Sequence, residues 1–385
     1  MILGIDATNI SSGGGLNHLK KLLENAEPGI VGFEKVIIWG SERTLGQLVD
    51  PVWLEKCSSR LLNKNLLCRS LWKLIYMGPE LKKSSCNILF APGGSYLGKF
   101  HPYVTMSRNM LPFDWKEMRR FGLSYLFFKM LALRLVQTRT YKFTDGIIFL
   151  TNYAQTSVLS TIGKTKARTS IIPHGVNSEF FSNRKLVSRS LNSSENTNFH
   201  LLYVSIIDMY KHQWNVLRAV SELRKLGYNL TVEFVGPSNP KALRKFNQVL
   251  EELDPKGEYC FYTGNVKNEK LPVLYAKADI CVFASTCENM PNILLEGMAS
   301  GLPIVCSSKQ PMPEILGDAG VYFHPEKVYE IKSAIKKLLD SSHLRDEMSA
   351  QSAFLAKQYS WKKTASDTFR FLFEIASKCN SPEPN

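Results

Sequence analysis

Several common signals are missing from this chain of 385 residues. Its eight cysteines, at positions 57, 68, 86, 260, 281, 287, 306 and 379, include no CxxC pair and no metal-ligand spacing, which argues against a zinc ribbon or a thioredoxin-type redox site. Cys260, Cys281 and Cys306 lie inside apolar β-like runs, as small buried hydrophobes do in a reducing compartment, so a cytoplasmic location is expected. No apolar run reaches the ~18 residues of a membrane-spanning helix. The opening stretch "MILGIDATN" lacks a basic leader and carries Asp6 within its apolar run, so it reads as a strand rather than a signal peptide. Neither GxGxxG nor GxxxxGK[ST] occurs, which removes the usual dinucleotide and P-loop fingerprints.

What is present is an ordinary globular composition, 44% hydrophobic and 21% charged, over a length that suits two domains. The formal charge is +14 and unevenly spread. Residues 1–175 hold 23 Lys+Arg against 11 Asp+Glu, a balance of +12, and the remaining 25 against 23 leave +2. The first half should therefore meet an anionic partner such as a membrane surface, a lipid-linked phosphate or a nucleic acid.

Short β-branched and aromatic runs alternate with helical spacing almost from end to end. They are "MILGID", "KVIIWG", "NILFAP", "GIIFLT" and "TSIIPH", then "FHLLYVS", "LTVEFVG", "EYCFYTG", "DICVFAS", "LPIVCS" and "GVYFHP". Continuously apolar strands separated by helices indicate parallel sheets covered on both faces. The Ser/Asn-rich stretch at 179–198 lacks periodicity and reads as a linker between an N-terminal domain, 1–178, and a second one, 199–360, followed by a last helix over 361–385. The fold class is α/β, two tandem doubly wound Rossmann-like domains, with ligands expected in a cleft beyond the carboxyl ends of the strands. Residues 115–142 mix aromatic and basic side chains as a helix lying in a membrane interface would; the plainer reading is a helix buried on one side.

Three strand-to-helix turns carry chemistry. In "IDATNISSGGGLNHLKKLL", Gly13, Gly14 and Gly15 open a helix and bare its amides to a phosphate or sugar. In "LLYVSIIDMYKHQWNVL", Lys211 precedes a helix starting near Gln213 and adds an ammonium to that helix's N-terminus, or else pairs with Asp208 at the surface. In "CENMPNILLEGMASG", the helix is apolar apart from Asn292, Glu296 and Ser300, so a buried Glu296 needs donors such as a vicinal diol. Glu288 lies in the loop ahead of it. If Asn289 caps this helix its first amides are satisfied; if Met290 does, those of Asn292 and Ile293 are left for an anion.

Taken together, Glu288-x7-Glu296 with "GMASGLPIV", "MPEILGDAGVYFHPE", "IIPHGVN", "FYTGNVKNEKLPVLYAKADICVFAS" and "YSWKKTASDTF" resemble the GT-B nucleotide-sugar glycosyltransferases, specifically glycosyltransferase family 4. The resemblance is close over most of the second domain and covers the first only in layout. It implies that Glu296 binds the donor's ribose and Glu288 the transferred sugar. The amides around Met290 to Ile293, at the helix start of Pro291 and Asn292, would hold the diphosphate, with Lys211 neutralising it and Val266 and Leu271 near the base. Gly14 and Gly15 would close over the diphosphate, and the last helix would cross back to the first domain. It further implies a retaining, metal-independent hexosyltransferase, and no DxD occurs. A hexose or N-acetylhexosamine would pass from a UDP- or GDP-sugar to a glycolipid or polysaccharide precursor at the inner face of a membrane, as in lipopolysaccharide or capsule synthesis. No cofactor and no metal is expected, and no nucleic acid. Two departures stand out. Ile206 occupies the place of a usual Arg, for which His212 or a cation of the first domain would compensate, and "SRNMLPF" puts Arg108 and Asn109 where relatives carry His and Asp near the sugar and acceptor. A GT-B nucleotide-sugar epimerase and a basic, non-enzymatic binding protein are the alternatives.

Overall fold

A computed structural model describes residues 1–181 and 198–380, and the chain divides into two compact units. The first comprises Met1–Phe113, Leu123–Gly175 and Ser360–Asn385; the second comprises Asp114–Gly122 and Val176–Tyr359. Of the linker expected at 179–198, residues 182–197 lie outside the described residues, as do 381–385 at the end of the last helix.

The first unit holds a seven-stranded parallel sheet. In chain order its strands are β1 (Ile2–Asp6), β2 (Lys35–Trp39), β3 (Leu54–Cys57), β4 (Ile88–Ala91), β5 (Tyr103–Met106), β6 (Gly146–Phe149) and β7 (Arg168–Ile171). They are arranged β3-β2-β1-β4-β5-β6-β7, so the order reverses between β1 and β4, where Leu3 pairs with Ile88. Strands β4, β5 and β6 are buried along their whole length, as a sheet covered on both faces requires. Two strands, β3 and β5, have no counterpart among the runs read from the sequence. Strand β3 is an edge strand whose centre is Glu55 and Lys56, and Thr105 interrupts the apolar run of β5 while its hydroxyl donates to the Ala91 carbonyl at 3.0 Å.

The helix Trp361–Asn380 belongs to this unit. Phe33 meets Phe369 and Phe373 edge-on, and the Thr364 hydroxyl donates to the Pro173 carbonyl at 2.8 Å. Gly175 lies so close to the helix start that a Cβ there would be 2.2 Å from the Trp361 nitrogen. Beside Trp361, His18 and His174 face each other through their Nδ1 atoms at 3.0 Å, and burial drives both rings to the neutral form.

The second unit holds a six-stranded parallel sheet of β8 (Phe199–Val204), β9 (Leu230–Val235), β10 (Cys260–Gly264), β11 (Ile280–Phe283), β12 (Ile304–Ser307) and β13 (Val321–Phe323). Its order is β10-β9-β8-β11-β12-β13, with the reversal between β8 and β11, where Cys281 pairs with Leu202.

The segment 115–142, expected as one helix, is two. Trp115–Arg119 goes with the second unit and Tyr125–Phe143 with the first. Gly122, at φ 59°, takes the left-handed conformation that breaks the run, and Ser124 starts the next helix by accepting the Phe127 amide at 3.4 Å. Among the described residues no helix is long and apolar enough to cross a membrane.

Candidate active site

In doubly wound sheets the loops leaving the two strands at the order reversal diverge and open a crevice. In the second unit those loops follow β8 and β11, and they carry Lys211 and Glu288. The loops are tied together by backbone and by one aromatic. The Tyr203 hydroxyl donates to the Lys211 carbonyl at 2.6 Å and accepts the Ala284 amide at 3.2 Å, and the Thr286 amide donates to the Tyr210 carbonyl at 2.9 Å. On this frame the Lys211 ammonium donates to Glu288 Oε1. Lys211 is buried, and its ammonium stands 5.1 Å from the ring centres of both Tyr210 and Phe283, a range in which ring faces attract a cation. The alternative partner, Asp208, is not the one used: its carboxylate accepts the Met209 amide at 2.6 Å. Burial raises the Asp208 carboxyl above its ordinary range, against the pull of that amide and of the Lys211 charge.

The helix after β11 spans Asn292–Ala299, and its N-cap position is Pro291, which makes no side-chain cap bond. This corrects both caps considered from the sequence. Pro291 is half in the helix, its carbonyl accepting the Leu294 amide at 3.1 Å, and neither Asn289 nor Met290 holds that place. The amides of Asn292 and Ile293 are thus left with no capping side chain beneath them, in a helix with no acidic residue in its first turn. One turn on, Glu296 Oε2 has one hydrogen bond among the described residues, from the Tyr275 hydroxyl at 3.4 Å, and that hydroxyl is shared with the Ile293 carbonyl at 3.1 Å. Burial outweighs so weak a donor and lifts the Glu296 carboxyl to about 7. The Asn292 Oδ1 is buried without a hydrogen-bond partner in the same turn.

His212 turns the chain into the helix Gln213–Lys225 at φ 52°, with its Nε2 3.3 Å from the Thr286 hydroxyl. Burial lowers the ring to about 4, so it is neutral near pH 7. At that missing position, the Ile206 carbonyl accepts from the Gln213 side-chain amide at 2.8 Å. Val266 lies half-exposed in the loop after β10, and Leu271 begins the helix Leu271–Lys277 whose Tyr275 reaches Glu296.

Residues 185–353, within the second unit, match the family model described as glycosyl transferases group 1. The O-antigen chain mannosyltransferase B of Escherichia coli is 37% identical over 125 residues, which is 32% of this chain and 33% of that one. The chain spans about a quarter to about half of the length of the curated relatives it matches. Among solved structures, sucrose-phosphate synthase from Thermosynechococcus elongatus superposes with a TM-score of 0.75 at 15% identity, covering 98% of this chain and 100% of that one. Anabaena Alr3699/HepE in complex with UDP-glucose gives 0.69 at 15%, covering 99% and 100%. Residues 185–353 are thus similar to the group 1 glycosyl transferases, and the chain has the GT-B fold.

Within the second unit, sequence reasoning missed Tyr203 and Tyr275. One clamps the Lys211 and Glu288 loops, and the other is the hydrogen-bond partner of Glu296. Both are aromatics inside apolar runs, so the pattern marks them only as core. In the first unit Gly14 and Gly15 form the start of the helix Gly13–Glu24, and Arg108 is brought against them, while Asn109 is occupied in accepting the Leu111 amide at 3.1 Å. Asn109 thereby opens the turn Leu111–Phe113. All eight cysteines are free thiols, and among the described residues no cluster of side chains suits a metal ion.

Proposed function

We propose that the chain is a retaining hexosyltransferase that moves a hexose or N-acetylhexosamine from a UDP- or GDP-sugar to a glycolipid or polysaccharide precursor. The observation that carries this reading is the pairing of Lys211 with Glu288 across the two loops that leave β8 and β11, beside an uncapped helix start and a desolvated Glu296. Lys211 would meet the diphosphate, together with the helix start from Met290 and Pro291 to the amides of Asn292 and Ile293, and Glu296 the ribose diol, whose two hydroxyls supply the donors this carboxylate lacks. Glu288 would hold the transferred sugar next to the phosphate, since its partner ammonium sits there. Val266 and Leu271 would flank the base.

The chemistry requires the bond from the anomeric carbon to the diphosphate oxygen to break while a bond to the acceptor oxygen forms on the same face. The acceptor's proton passes to the departing phosphate oxygen. Charge on that oxygen would be stabilised by Lys211 and by helix amides already in place, so no divalent ion is required. The mannosyltransferase relative and a neighbour solved with UDP-glucose support a hexose donor, and an O-antigen relative supports a glycan precursor as acceptor. The test is transfer or donor hydrolysis by Lys211→Ala and Glu288→Ala, each expected to lose about a hundredfold or more in kcat. Rates like the parent's in both would remove the assignment.

The acceptor reading brings a membrane with it. The helix Leu66–Ile75 leaves Leu66, Leu67, Leu71, Leu74 and Ile75 exposed and holds no acidic residue. The helix Tyr125–Phe143 exposes Tyr125, Phe128, Leu135 and Phe143 with Lys129, Arg139 and Lys142, again with no acid. Both rest on the same loop: Lys73 donates to the Ser95 carbonyl, and Thr140 bonds the Tyr96 backbone at 3.0 Å. Exposed apolar and aromatic side chains beside cations alone suit an anionic lipid surface, which supports peripheral association at the inner face of a membrane.

A further inference from the structure

Among the described residues of the second unit, His212 is the one non-glycine residue in the left-handed region, at φ 52°. There the Cβ of an L-residue crowds the following carbonyl, so a glycine would sit at ease where this imidazole does not. A bulky residue stays in such a conformation when its surroundings hold it, and the surroundings then say what it is for. The ring makes no capping bond with the helix Gln213–Lys225 that it precedes. It is buried instead, edge-on to Trp214 with ring centres 5.8 Å apart, and its Nε2 reaches the Thr286 hydroxyl in the loop after β11, at 3.3 Å.

Which atom donates follows from the partners. The Thr286 hydroxyl has one proton and gives it to the Tyr210 carbonyl at 3.2 Å, the same carbonyl that accepts the Thr286 amide at 2.9 Å. The hydrogen between His212 and Thr286 must therefore sit on Nε2, and in a neutral ring Nδ1 is then bare. The neighbours disfavour a second proton. Burial lowers the ring, and Arg120, Lys245 and His324 lower it further, with Glu326 opposing them. Arg120 lies on the segment Asp114–Gly122, which belongs to this unit, and is fixed there: its Nε donates to Glu117 and its Nη2 to Glu326, both at 2.7 Å. Lys245 stands 4.0 Å from the centre of the Trp214 ring.

We propose that His212 is a positioning residue of the candidate active site: as an Nε2–H imidazole it ties the loop after β8 to the loop after β11 and so fixes the Lys211 ammonium against the Glu288 carboxylate. Lys211 directly precedes it and Glu288 lies two residues past Thr286, so the tie joins the loops at their ion pair, as a second link beside the one through Tyr203. Arg120 acts through the ring, by opposing the second proton. The inference rests on the transferase reading for its kinetic consequence, whereas the tautomer and the tie belong to the second unit itself.

The test is a double-variant cycle of His212→Gly and Thr286→Val in the full chain. It is read by kcat for transfer or donor hydrolysis, by calorimetry with UDP and GDP, and by nitrogen-15 spectra of the imidazoles. Glycine suits φ 52° and valine keeps the branching of threonine, so both variants should fold. Each is expected to lose about tenfold in kcat, since a small displacement of a site group is enough. Nucleotide affinity should stay close to the parent's, because Lys211 and the helix Asn292–Ala299 remain. The double variant should lose no more than either single one, as both remove the same bond. In the parent, the signal missing from His212→Gly should be that of an Nε2–H ring titrating at about 4, and Arg120→Gln should move that titration upward with the tautomer unchanged. Parent-like kcat in His212→Gly, losses that add in the double variant, or an Nδ1–H tautomer would each overturn the assignment. A parent inactive toward every UDP- and GDP-sugar would sink the proposed function instead; the tie is then judged by the tautomer and by the same cycle in Tm, where non-additive losses keep it and additive ones remove it.

Discussion

Glu296 shows how a residue of the proposed site works against the fold that carries it. An ordinary carboxyl titrates near 4.5, and this one is lifted to about 7, so between those values the folded chain holds a proton that the unfolded chain has released. Its contribution to stability therefore declines as the pH rises from about 4.5 to about 7 and stays low above that. Glu296→Gln removes the penalty. At pH 8 it should stabilise the protein by about 2 kcal/mol, allowing for the partial exposure of the side chain, and raise the Tm by a few degrees, with no gain at pH 4. The same variant should bind the nucleotide more weakly, because a carboxamide can accept from only one of two ribose hydroxyls without turning its donors on the other. Melting curves at both pH values, with a nucleotide titration, check this; identical melting at pH 8 would show that the carboxylate is better solvated than its surroundings indicate. Much of this was legible in the sequence, since a carboxylate in the middle of "PNILLEGMASG" has no structural use. Tyr275 was not, because its bond to Glu296 spans 21 positions and leaves no periodic trace. Arg108 was legible as a departure from the resembling family, but its contact with Gly14 and Gly15 exists only once β1 and β5 lie in one sheet.

At the scale of elements, all six strands of the second unit stood out in the sequence, and β11 and β12 are buried along their whole length. The first unit yielded five of seven, and the two missed are those where apolar continuity fails, at an edge and at Thr105. Helix ends were harder. Pro291 reads as a residue of the first turn, whereas it is the N-cap, and the difference is functional because a proline N-cap supplies no side-chain acceptor to the amides it precedes. Pro291→Ser would supply one. A serine hydroxyl accepting from the second or third helical amide should stabilise the helix by about 1 kcal/mol, and it would compete with any phosphate for the same donors. The expected outcome is a protein with a higher Tm and a lower affinity for UDP or GDP, measured by melting and by titration of the free nucleotide. Affinity equal to the parent's would mean that the diphosphate is held by Lys211 without help from the helix Asn292–Ala299.

For the molecule as a whole, the charge balance and the exposed apolar surface point to the same end of the chain. Residues 1–175 carry +12 of the formal +14, and the exposed leucines and aromatics of the helices Leu66–Ile75 and Tyr125–Phe143 lie there too. Neither feature would be decisive separately, since a basic surface can meet any polyanion and isolated exposed leucines are common. Their coincidence on helices free of acidic residues is the basis of the proposed lipid surface, where apolar side chains would enter the acyl boundary and cations remain at the headgroups. Each Lys or Arg near an anionic surface contributes about 1 kcal/mol, so replacing Lys129, Arg139 and Lys142 by Gln should weaken binding to phosphatidylglycerol vesicles by about a hundredfold. Binding by the parent should fall with added salt, as exposed charges are screened, and be weak on phosphatidylcholine alone. Phe128→Ser with Leu135→Ser should weaken binding to the same vesicles without altering its salt dependence, because those side chains contribute area rather than charge. Vesicle sedimentation reads all of these, and equal, salt-independent binding of parent and triple variant to both lipids would exclude an electrostatic role for this face.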